Sequence, residues 1–276
     1  MYKKDSISPN DSTGLIPEPR RNEILYKIDQ NNLRNIIQSI PVPDDTQNSD
    51  DTTTALLAYY RYVFLVVGDN LYKLETVPEL EILKTVPGYR DTKLIAGADG
   101  QHIFVIKDGK LIKLNFELET VPLPDDPNDP DGSRWEDAKL MDGSGQHLYI
   151  VRGDELIRMN AITNIEEGKD TGWTDATLLT APGDSYVYLF RNGELIRMKE
   201  FPLEMDDKTG DWDGTTVLAG SGKSLYIVRD GELICLLGNT LQRDTNVEVG
   251  SGDNTTLMSF FINYVYLVKD FIEELD

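Results

Sequence analysis

The chain alternates short apolar runs with polar turns, and one apolar run of four residues recurs six times. Its members are aliphatic or β-branched, and its second position is always Phe or Tyr. The copies span 63–66, 103–106, 148–151, 187–190, 225–228 and 265–268. Such a composition favours β-strands, and apolar residues on both faces indicate a strand that is covered on both sides. We call this predicted strand B.

A second apolar run follows each of the first five copies, and its sixth copy stands at the opposite end of the chain. The five copies span 71–74, 111–114, 156–159, 195–198 and 233–236. The sequence after Val268 does not match this run, whereas Leu25-Tyr26-Lys27-Ile28 does. We call this predicted strand C. Every strand B has a strand C only if the two ends of the chain form one unit together, which predicts a closed ring.

Turn signals separate the predicted strands. Asp108-Gly109, Asn192-Gly193 and Asp230-Gly231 stand between strands B and C. They favour two-residue β-hairpins because both residues tolerate a positive φ. A third run, strand A, precedes each strand B. A fourth and less regular strand, D, follows strand C, with candidates at 33–37, 80–83, 116–121, 162–165, 201–205 and 246–249.

Units of about 40 residues with four strands each predict an all-β fold, a six-bladed β-propeller of four-stranded blades. The closing blade is split between the N- and C-termini. Residues 23–50 supply its strands C and D, and residues 253–276 supply its strands A and B. Residues 51–252 form five continuous blades, and residues 1–22 are an N-terminal tail.

An aspartate opens each unit just before strand A, and the ring symmetry places these residues around one mouth of a central channel. They are Asp51, Asp91, Asp137, Asp175, Asp213 and Asp253. A ring of carboxylates would suit Ca²⁺ or another cation in the channel, and no other cofactor is expected. The favoured alternative is that each aspartate bonds backbone groups of its own turn.

Aromatic or histidine side chains form two further rows. The row before strand A comprises Tyr89, Trp135, Trp173 and Trp212. The row before strand B comprises Tyr62, His102, His147, Tyr186 and Tyr264. Repeated rings can stack on sugars, so both rows contain candidate ligand-binding residues. The alternative is that the rings wedge between adjacent blades, where each would bury ~150–250 Å².

One position of strand C is basic in five units and is Cys235 in the remaining one. The basic residues are Lys27, Lys73, Lys113, Arg158 and Arg197. We expect them to cover blade edges or to pair with acidic side chains. Cys235 is the only cysteine, so an intrachain disulfide is excluded and a packed thiol is expected.

Charge restricts the classes of partner. A formal net charge of −21 disfavours nucleic acids and anionic membranes, which attract basic proteins. No apolar run has the length of a membrane-spanning helix, so membrane insertion is not expected. Residues 1–22 contain no apolar run of a Sec signal peptide, which predicts a cytoplasmic protein or part of a particle released by another route. The expected partner is a protein or a glycan.

Two families of repeats resemble this unit. It reads Trp-x-Asp-Ala-x-x-Leu, a Gly-Ser-Gly turn, a Leu-Tyr strand and then Asp/Asn-Gly-x-Leu-Ile-Arg, most clearly in 135–159 and 173–198. The opening Asp-Ala and the aromatic strand resemble hemopexin repeats, which implies ions in a channel. The Leu-Tyr-x-Val and Gly-x-Leu patterns resemble tachylectin-type repeats, which implies sugar binding. Six units exceed the usual blade count of either family.

The sequence favours binding over catalysis. It contains no GxSxG, HExxH, Walker or dinucleotide motif. We therefore predict a non-enzymatic binding or assembly module that presents propeller loops to a partner. A multivalent lectin is the alternative, and an enzyme or metal site at the channel mouth is the third hypothesis.

Overall fold

The computed structural model describes residues 21–43, 53–90, 92–124, 134–261 and 264–272. These ranges contain β-strands and no helix, hence none that is long and apolar enough to cross a membrane. The strands are, in chain order, β1 (Arg21–Asp29), β2 (Ile36–Pro41), β3 (Thr53–Tyr59), β4 (Tyr62–Val67), β5 (Asn70–Glu75), β6 (Glu81–Pro87), β7 (Leu94–Ala98), β8 (His102–Lys107), β9 (Lys110–Asn115), β10 (Thr120–Val121), β11 (Ala138–Ser144), β12 (His147–Arg152), β13 (Glu155–Asn160), β14 (Ile165–Thr171), β15 (Leu178–Thr180), β16 (Tyr186–Arg191), β17 (Glu194–Lys199), β18 (Glu204–Thr209), β19 (Thr215–Ser221), β20 (Ser224–Arg229), β21 (Glu232–Leu237), β22 (Gln242–Arg243), β23 (Gly250–Ser251), β24 (Thr255–Phe261) and β25 (Tyr264–Ile272).

The strands pair into six antiparallel sheets, which are the blades of a propeller. Blade 1 is β3–β6, blade 2 is β7–β10, blade 3 is β11–β14, blade 4 is β15–β18, and blade 5 is β19–β22 with β23 paired to β21. The closing blade has the order β24-β25-β1-β2. The innermost strands contact one another around the ring, and β24 contacts β3 to close it. The predicted six-bladed all-β propeller is confirmed.

The closing blade is shared by the two ends of the chain, as predicted. β1 pairs antiparallel with β25 along its whole length, with Leu25 opposite Val268. Both side chains are buried in a cluster with Val63 and Leu65 of blade 1. The C-terminal strands therefore receive their outer partner and part of their apolar cover from the N-terminal strands.

The predictions for strand D were displaced in blades 3, 4 and 5, whereas the predicted 80–83 and 116–121 overlap β6 and β10. In blade 4 the predicted span was 201–205, whereas β18 covers Glu204–Thr209, and in blade 3 the predicted 162–165 mostly precedes β14. The outer strands face solvent and are largely polar, and β18 reads Glu-Met-Asp-Asp-Lys-Thr. The apolar residues that suggested strands lie mainly in the turns before them. In blade 5, β22 precedes the predicted 246–249.

The turns divide between two faces of the ring because successive strands in a blade run in opposite directions. Turns between strands A and B and between C and D, such as 144–147 and 160–165, form what we call the A–B face. Turns between B and C and between D and A, such as 107–110 and 134–138, form the B–C face. In the Asp108-Gly109 hairpin both residues have positive φ, 51° and 71°, as the sequence predicted for this turn type.

Candidate functional site

The aromatic row before strand A lies on the B–C face, within the packing between blades. Trp135 and Trp173 are only 4% and 3% exposed, and Tyr89 is also buried. Trp212 is partly buried against a cluster formed by blades 4 and 5. A buried ring offers no face on which a sugar could stack. The burial therefore favours the wedge role for these residues.

A basic residue at the end of strand B donates a hydrogen bond to the turn that carries each of these aromatic residues. The sequence analysis did not identify these basic residues. Arg152 donates from Nη1 to the carbonyl of Arg134 at 3.2 Å, and its guanidinium lies 5.8 Å from the centroid of the Trp135 ring. The Arg191 guanidinium lies 4.9 Å from the Trp173 ring and donates to the carbonyl of Gly172. The residues that donate to a turn carbonyl in this way are Lys107, Arg152, Arg191, Arg229 and Lys269. The available signal was a Lys or Arg directly after the apolar run of strand B.

Replacing Trp173 by Phe should cost about 2 kcal/mol of unfolding free energy. Trp173 donates from Nε1 to Asp170 Oδ2 at 3.0 Å, and Phe keeps a six-membered aromatic ring but loses the pyrrole part of the indole and with it this bond to a charged acceptor. Urea unfolding measures the change, and Thr174→Ala on the exposed neighbouring position is the control. Acrylamide should quench the fluorescence of Trp135 and Trp173 only weakly. Strong quenching with an unchanged unfolding midpoint would instead place these rings at an accessible surface.

The aspartates that open each unit lie in exposed turns on the B–C face. Asp137, Asp175, Asp213 and Asp253 are all exposed, and Asp51 and Asp91 lie outside the described residues. The turn around Asp137 is closed by a bond from Ala138 N to Trp135 O at 3.0 Å, and the other three are closed in the same way. Among the described residues, no three His, Cys, Asp or Glu side chains come together as metal ligands.

The basic row of strand C is buried and is enclosed by the row before strand B. Lys27 Nζ lies 4.3 Å from the centroid of the Tyr264 ring, and Lys73 Nζ lies 4.1 Å from that of Tyr62. Burial lowers the pKa of Lys27. In blade 4 the Arg197 guanidinium lies 4.8 Å from the Tyr186 ring. These aromatic residues thus have a structural partner, which sequence reasoning did not assign to them.

The two histidines belong to the row before strand B. Each lies beside a carboxylate that also contacts a buried cation of strand C. His102 Nδ1 is 2.8 Å from Asp99 Oδ1, and Lys113 Nζ is 2.7 Å from Asp99 Oδ2. Burial favours the neutral form of Asp99, but the hydrogen bonds from Lys113 and His102 outweigh it and lower the pKa of this carboxyl. His147 Nε2 lies 2.9 Å from Glu167 Oε2, which in turn is 3.8 Å from Arg158.

Each buried cation reaches across a seam to the C–D turn of the next blade. Lys27 Nζ donates to Thr76 O at 2.6 Å, and Lys113 Nζ donates to Ala161 O at 3.1 Å. Lys73 reaches Glu117 Oε1 at 3.3 Å, and Arg158 donates to the carbonyl of Glu200. Arg197 Nη1 donates to the carbonyls of Gly238 and Asn239 at 2.9 and 2.6 Å. This row therefore fastens five of the six seams between blades.

A central cavity of about 320 Å³ opens among the inner strands near the A–B face. Asp142 on β11 lies in its wall, and its carboxylate spans two blades. Oδ2 accepts from Ala181 N at 2.8 Å and from Thr180 Oγ1 at 3.0 Å, and Oδ1 accepts from Gly143 N at 2.8 Å. Burial raises the pKa of Asp142 to about 6, although these three bonds favour the ionised form. The residue secures the short strand β15 to blade 3.

Asp142→Asn should remove a pH-dependent part of the stability. The raised pKa means that the native chain binds this proton more tightly than the unfolded chain, so stability falls as pH rises from about 4 to 6. The unfolding free energy of the variant minus that of the parent should rise across this pH interval and stay constant above it. Urea unfolding at unit steps from pH 4 to 8 tests this. Parallel stability curves would contradict it. Asp175→Asn, on an exposed turn, is the control and should change stability by less than about 0.5 kcal/mol.

Large apolar side chains are exposed on the C–D turns and on the outer strands. Phe201 is 81% exposed and Val77 is 59% exposed, and both precede a proline at equivalent turns of blades 4 and 1. The other strongly exposed apolar residues on these turns and outer strands are Ile36, Ile37, Ile82, Leu83, Ile162, Ile165 and Met205. The sequence analysis assigned several of these residues to outer strands, correctly for Ile82, Leu83, Ile165 and Met205, but made no prediction of their exposure.

No protein-family model and no curated protein matches the chain. Among solved structures it is similar to apo AztD from Citrobacter koseri, with a TM-score of 0.52 and 10% identity over 90% of this chain and 99% of that chain. It is similar to the Pan2 WD40 domain of Neurospora crassa, with a TM-score of 0.53 and 8% identity over 85% of this chain and 79% of that chain. It is also similar to the Cps50 (Swd1) β-propeller domain of Myceliophteria thermophila, with a TM-score of 0.55 and 9% identity over 85% of this chain and 86% of that chain. At these identities the likeness establishes the β-propeller fold alone. The resemblance to hemopexin and tachylectin repeats stays a sequence-based prediction.

Proposed function

We propose that the protein is a non-catalytic binding or assembly module whose C–D turns engage a protein partner. The observation that carries this proposal is the exposure of Phe201 and Val77 at equivalent turns of two blades. In blade 4 the exposed Phe201 is close in sequence to Met205, which is also exposed, and grouped exposed apolar side chains mark interaction sites. A rigid ring of blades holds such turns in fixed positions, which limits the entropy lost on binding.

The other recurring side chains stabilise the fold itself. They are therefore weaker candidates for ligand binding than the exposed apolar residues of the C–D turns. The buried cations of strand C fasten seams, and the aromatic rows enclose them or wedge between blades. A lectin would need exposed rings, and Trp135 and Trp173 are buried. We therefore favour a protein partner over a glycan.

Site-specific photo-crosslinking tests the proposal. The photoreactive residue p-benzoylphenylalanine is placed at position 201, at position 77 and, as the control on the opposite face, at exposed position 175 of the full chain. In extracts of the producing cells, positions 201 or 77 should give a discrete adduct that position 175 does not give. The partner is then identified by mass spectrometry and the complex is rebuilt from purified components. The combined change Phe201→Ser and Val77→Ser should weaken that complex at least about tenfold. A rebuilt complex that this variant leaves unchanged, or adducts at position 175 alone, would refute the proposal.

A further inference from the structure

The wall of the central cavity is built from the inner strands of all six blades, which contact one another around the ring. These strands approach so closely that two positions of the wall admit only glycine. A Cβ added at Gly143 would collide with the carbonyl oxygen of Gly97, and one added at Gly220 would lie 2.8 Å from Cβ of Pro182. The rigid inner ring therefore forms the cavity in advance, and its volume of about 320 Å³ lies in the range of small-molecule sites.

The lining of this cavity carries one carboxylate and no cationic side chain. Within the part of the chain that the structure describes, Asp142 is the only Asp or Glu that lines it, and no Lys, Arg or His does so. The lining is otherwise neutral, with apolar members such as Leu56, Leu179, Met258 and Phe260. Burial raises the pKa of Asp142 to about 6, so the group is ionised at neutral pH. Enclosed charges in proteins are usually paired, and this one lacks a counter-charge among its lining neighbours.

Asp142 departs from the repeat at a position that is neutral in the other five blades. Each inner strand has one residue opposite the aromatic residue of strand B, and in blade 3 this is Asp142 opposite Tyr149. The counterparts in the other blades are Leu57, Ala96, Thr180, Ala219 and Ser259. The inner ring can therefore be built without a carboxylate at this position.

A neutral side chain makes the equivalent bond at another seam, so bridging two blades does not require the charge. Ser259 Oγ accepts from Ala58 N of blade 1 at 2.7 Å, as Asp142 Oδ2 accepts from Ala181 N of blade 4 at 2.8 Å. Asp142 differs from Ser259 in having a negative charge and a second oxygen. Among the described residues, that oxygen, Oδ1, accepts only from Gly143 N, and a carboxylate oxygen has two lone pairs. One acceptor position therefore stays available.

We propose that the central cavity binds a small organic cation, a primary amine with an apolar body, through the carboxylate of Asp142. The ammonium group donates to Oδ1 and neutralises the charge, and the apolar body packs on side chains such as Met258 and Phe260. A calcium ion suits the cavity less well, because Ca²⁺ takes about 6–8 oxygen ligands and the described lining offers one carboxylate. This site is separate from the C–D turns, so the inference goes beyond the proposed function and does not depend on it.

Saturation-transfer NMR on the full chain at neutral pH tests the inference. The probes are a library of primary amines, each paired with the alcohol of the same carbon skeleton, such as phenethylamine and phenethyl alcohol. Several amines should bind the parent, and the matched alcohols should bind at least about tenfold more weakly, because they cannot form an ion pair with the carboxylate. Asp142→Ser and Asp142→Asn should each weaken the amines by about the same factor, since both keep an acceptor for Ala181 N but lose the charge.

Asp175→Asn is the matched control, because amines also associate with the surface of a chain whose formal charge is −21. This variant removes an exposed carboxylate of the B–C face and should leave amine affinity unchanged. A library without any amine that binds, alcohols that bind as tightly as amines, or amine binding that both Asp142 variants retain would overturn the inference. Displacement of the amines by micromolar Ca²⁺ would also overturn it and would assign the cavity to a metal ion. The comparison of amines with alcohols uses the parent alone and so does not depend on the folding of a variant.

Discussion

A chain that lacks residues 1–43 should not form a stable ring. The deletion removes β1 and β2, and β1 pairs with β25 from Arg21 opposite Ile272 to Asp29 opposite Tyr264. Without this partner, β25 becomes an outer strand with unpaired backbone groups and a bare apolar face. The buried cation Lys27, which fastens the closing blade to blade 1, is lost as well.

The free energy that this deletion removes exceeds the unfolding free energy of a typical single domain. Leu25, Ile28 and Leu33 are all buried, and truncation of one such side chain alone costs ~2–5 kcal/mol. The unfolding free energy of a whole domain is about 5–15 kcal/mol. Removal of all three, together with the backbone pairing, should therefore abolish cooperative unfolding.

Circular dichroism and thermal melting of the purified chains measure this effect. A circular permutant that begins near residue 51 and joins residue 276 to residue 23 through a short linker is the control, because it keeps every strand and moves only the chain ends. It should melt cooperatively near the temperature of the parent. A deleted chain that melts like the parent would show that the ring does not depend on the shared blade.

Arg197→Ala should destabilise the protein by about 3–5 kcal/mol. Its guanidinium donates to Asp206 through Nε at 2.8 Å and to two carbonyls of blade 5, and the side chain is buried. Alanine would leave these acceptors without their donor at the seam between blades 4 and 5. Loss of one partner from a buried charged network costs far more than loss of an exposed ion pair.

The control is Lys208→Ala on the neighbouring strand β18. Lys208 is half exposed and forms a 2.7 Å ion pair with Glu194, so its removal should cost less than about 1 kcal/mol. Arg197→Met keeps the aliphatic volume and separates packing from bonding. Urea unfolding of the three variants gives the comparison. Equal losses for Arg197→Ala and Lys208→Ala would mean that the buried cation does not fasten the seam.

Strands A, B and C could be predicted because their periodic signal has a physical cause. Strand B lies between two neighbouring blades and is apolar on both faces, so Leu148 and Tyr149, adjacent in sequence, are both buried, and strands A and C repeat beside it in each blade. The outer strands have no such requirement. β18 is stabilised by its pairing with β17 and exposes most of its side chains, and a polar sequence satisfies that role. Pattern reasoning therefore placed strand D on the apolar turn residues before it.

The candidate site was harder to predict because sequence repetition does not distinguish fold from function. Trp135 and Trp173 recur for the same reason as the strands, since each wedges between two blades. Phe201 has no counterpart in most units, and nothing in its neighbourhood marks it as exposed. Its position became informative only once the turn was seen to lie outside the sheet. In this chain, the proposed interaction surface lies at a departure from the repeat.

The reactivity of the buried Cys235 thiol can be used to detect opening of the ring at one particular seam. Cys235 occupies the place of the buried cation, and the seam between blade 5 and the closing blade is packed by an apolar cluster in which the Tyr226 ring stacks on Phe260, with centroids 4.9 Å apart. Burial raises the pKa of the thiol to about 11, which suppresses the reactive thiolate while the seam is closed. The rate at which a thiol reagent modifies the native protein should therefore report the equilibrium fraction of molecules in which this seam is open, when reclosing is faster than modification. Because Cys235 is the only cysteine, the rate needs no correction for other sites.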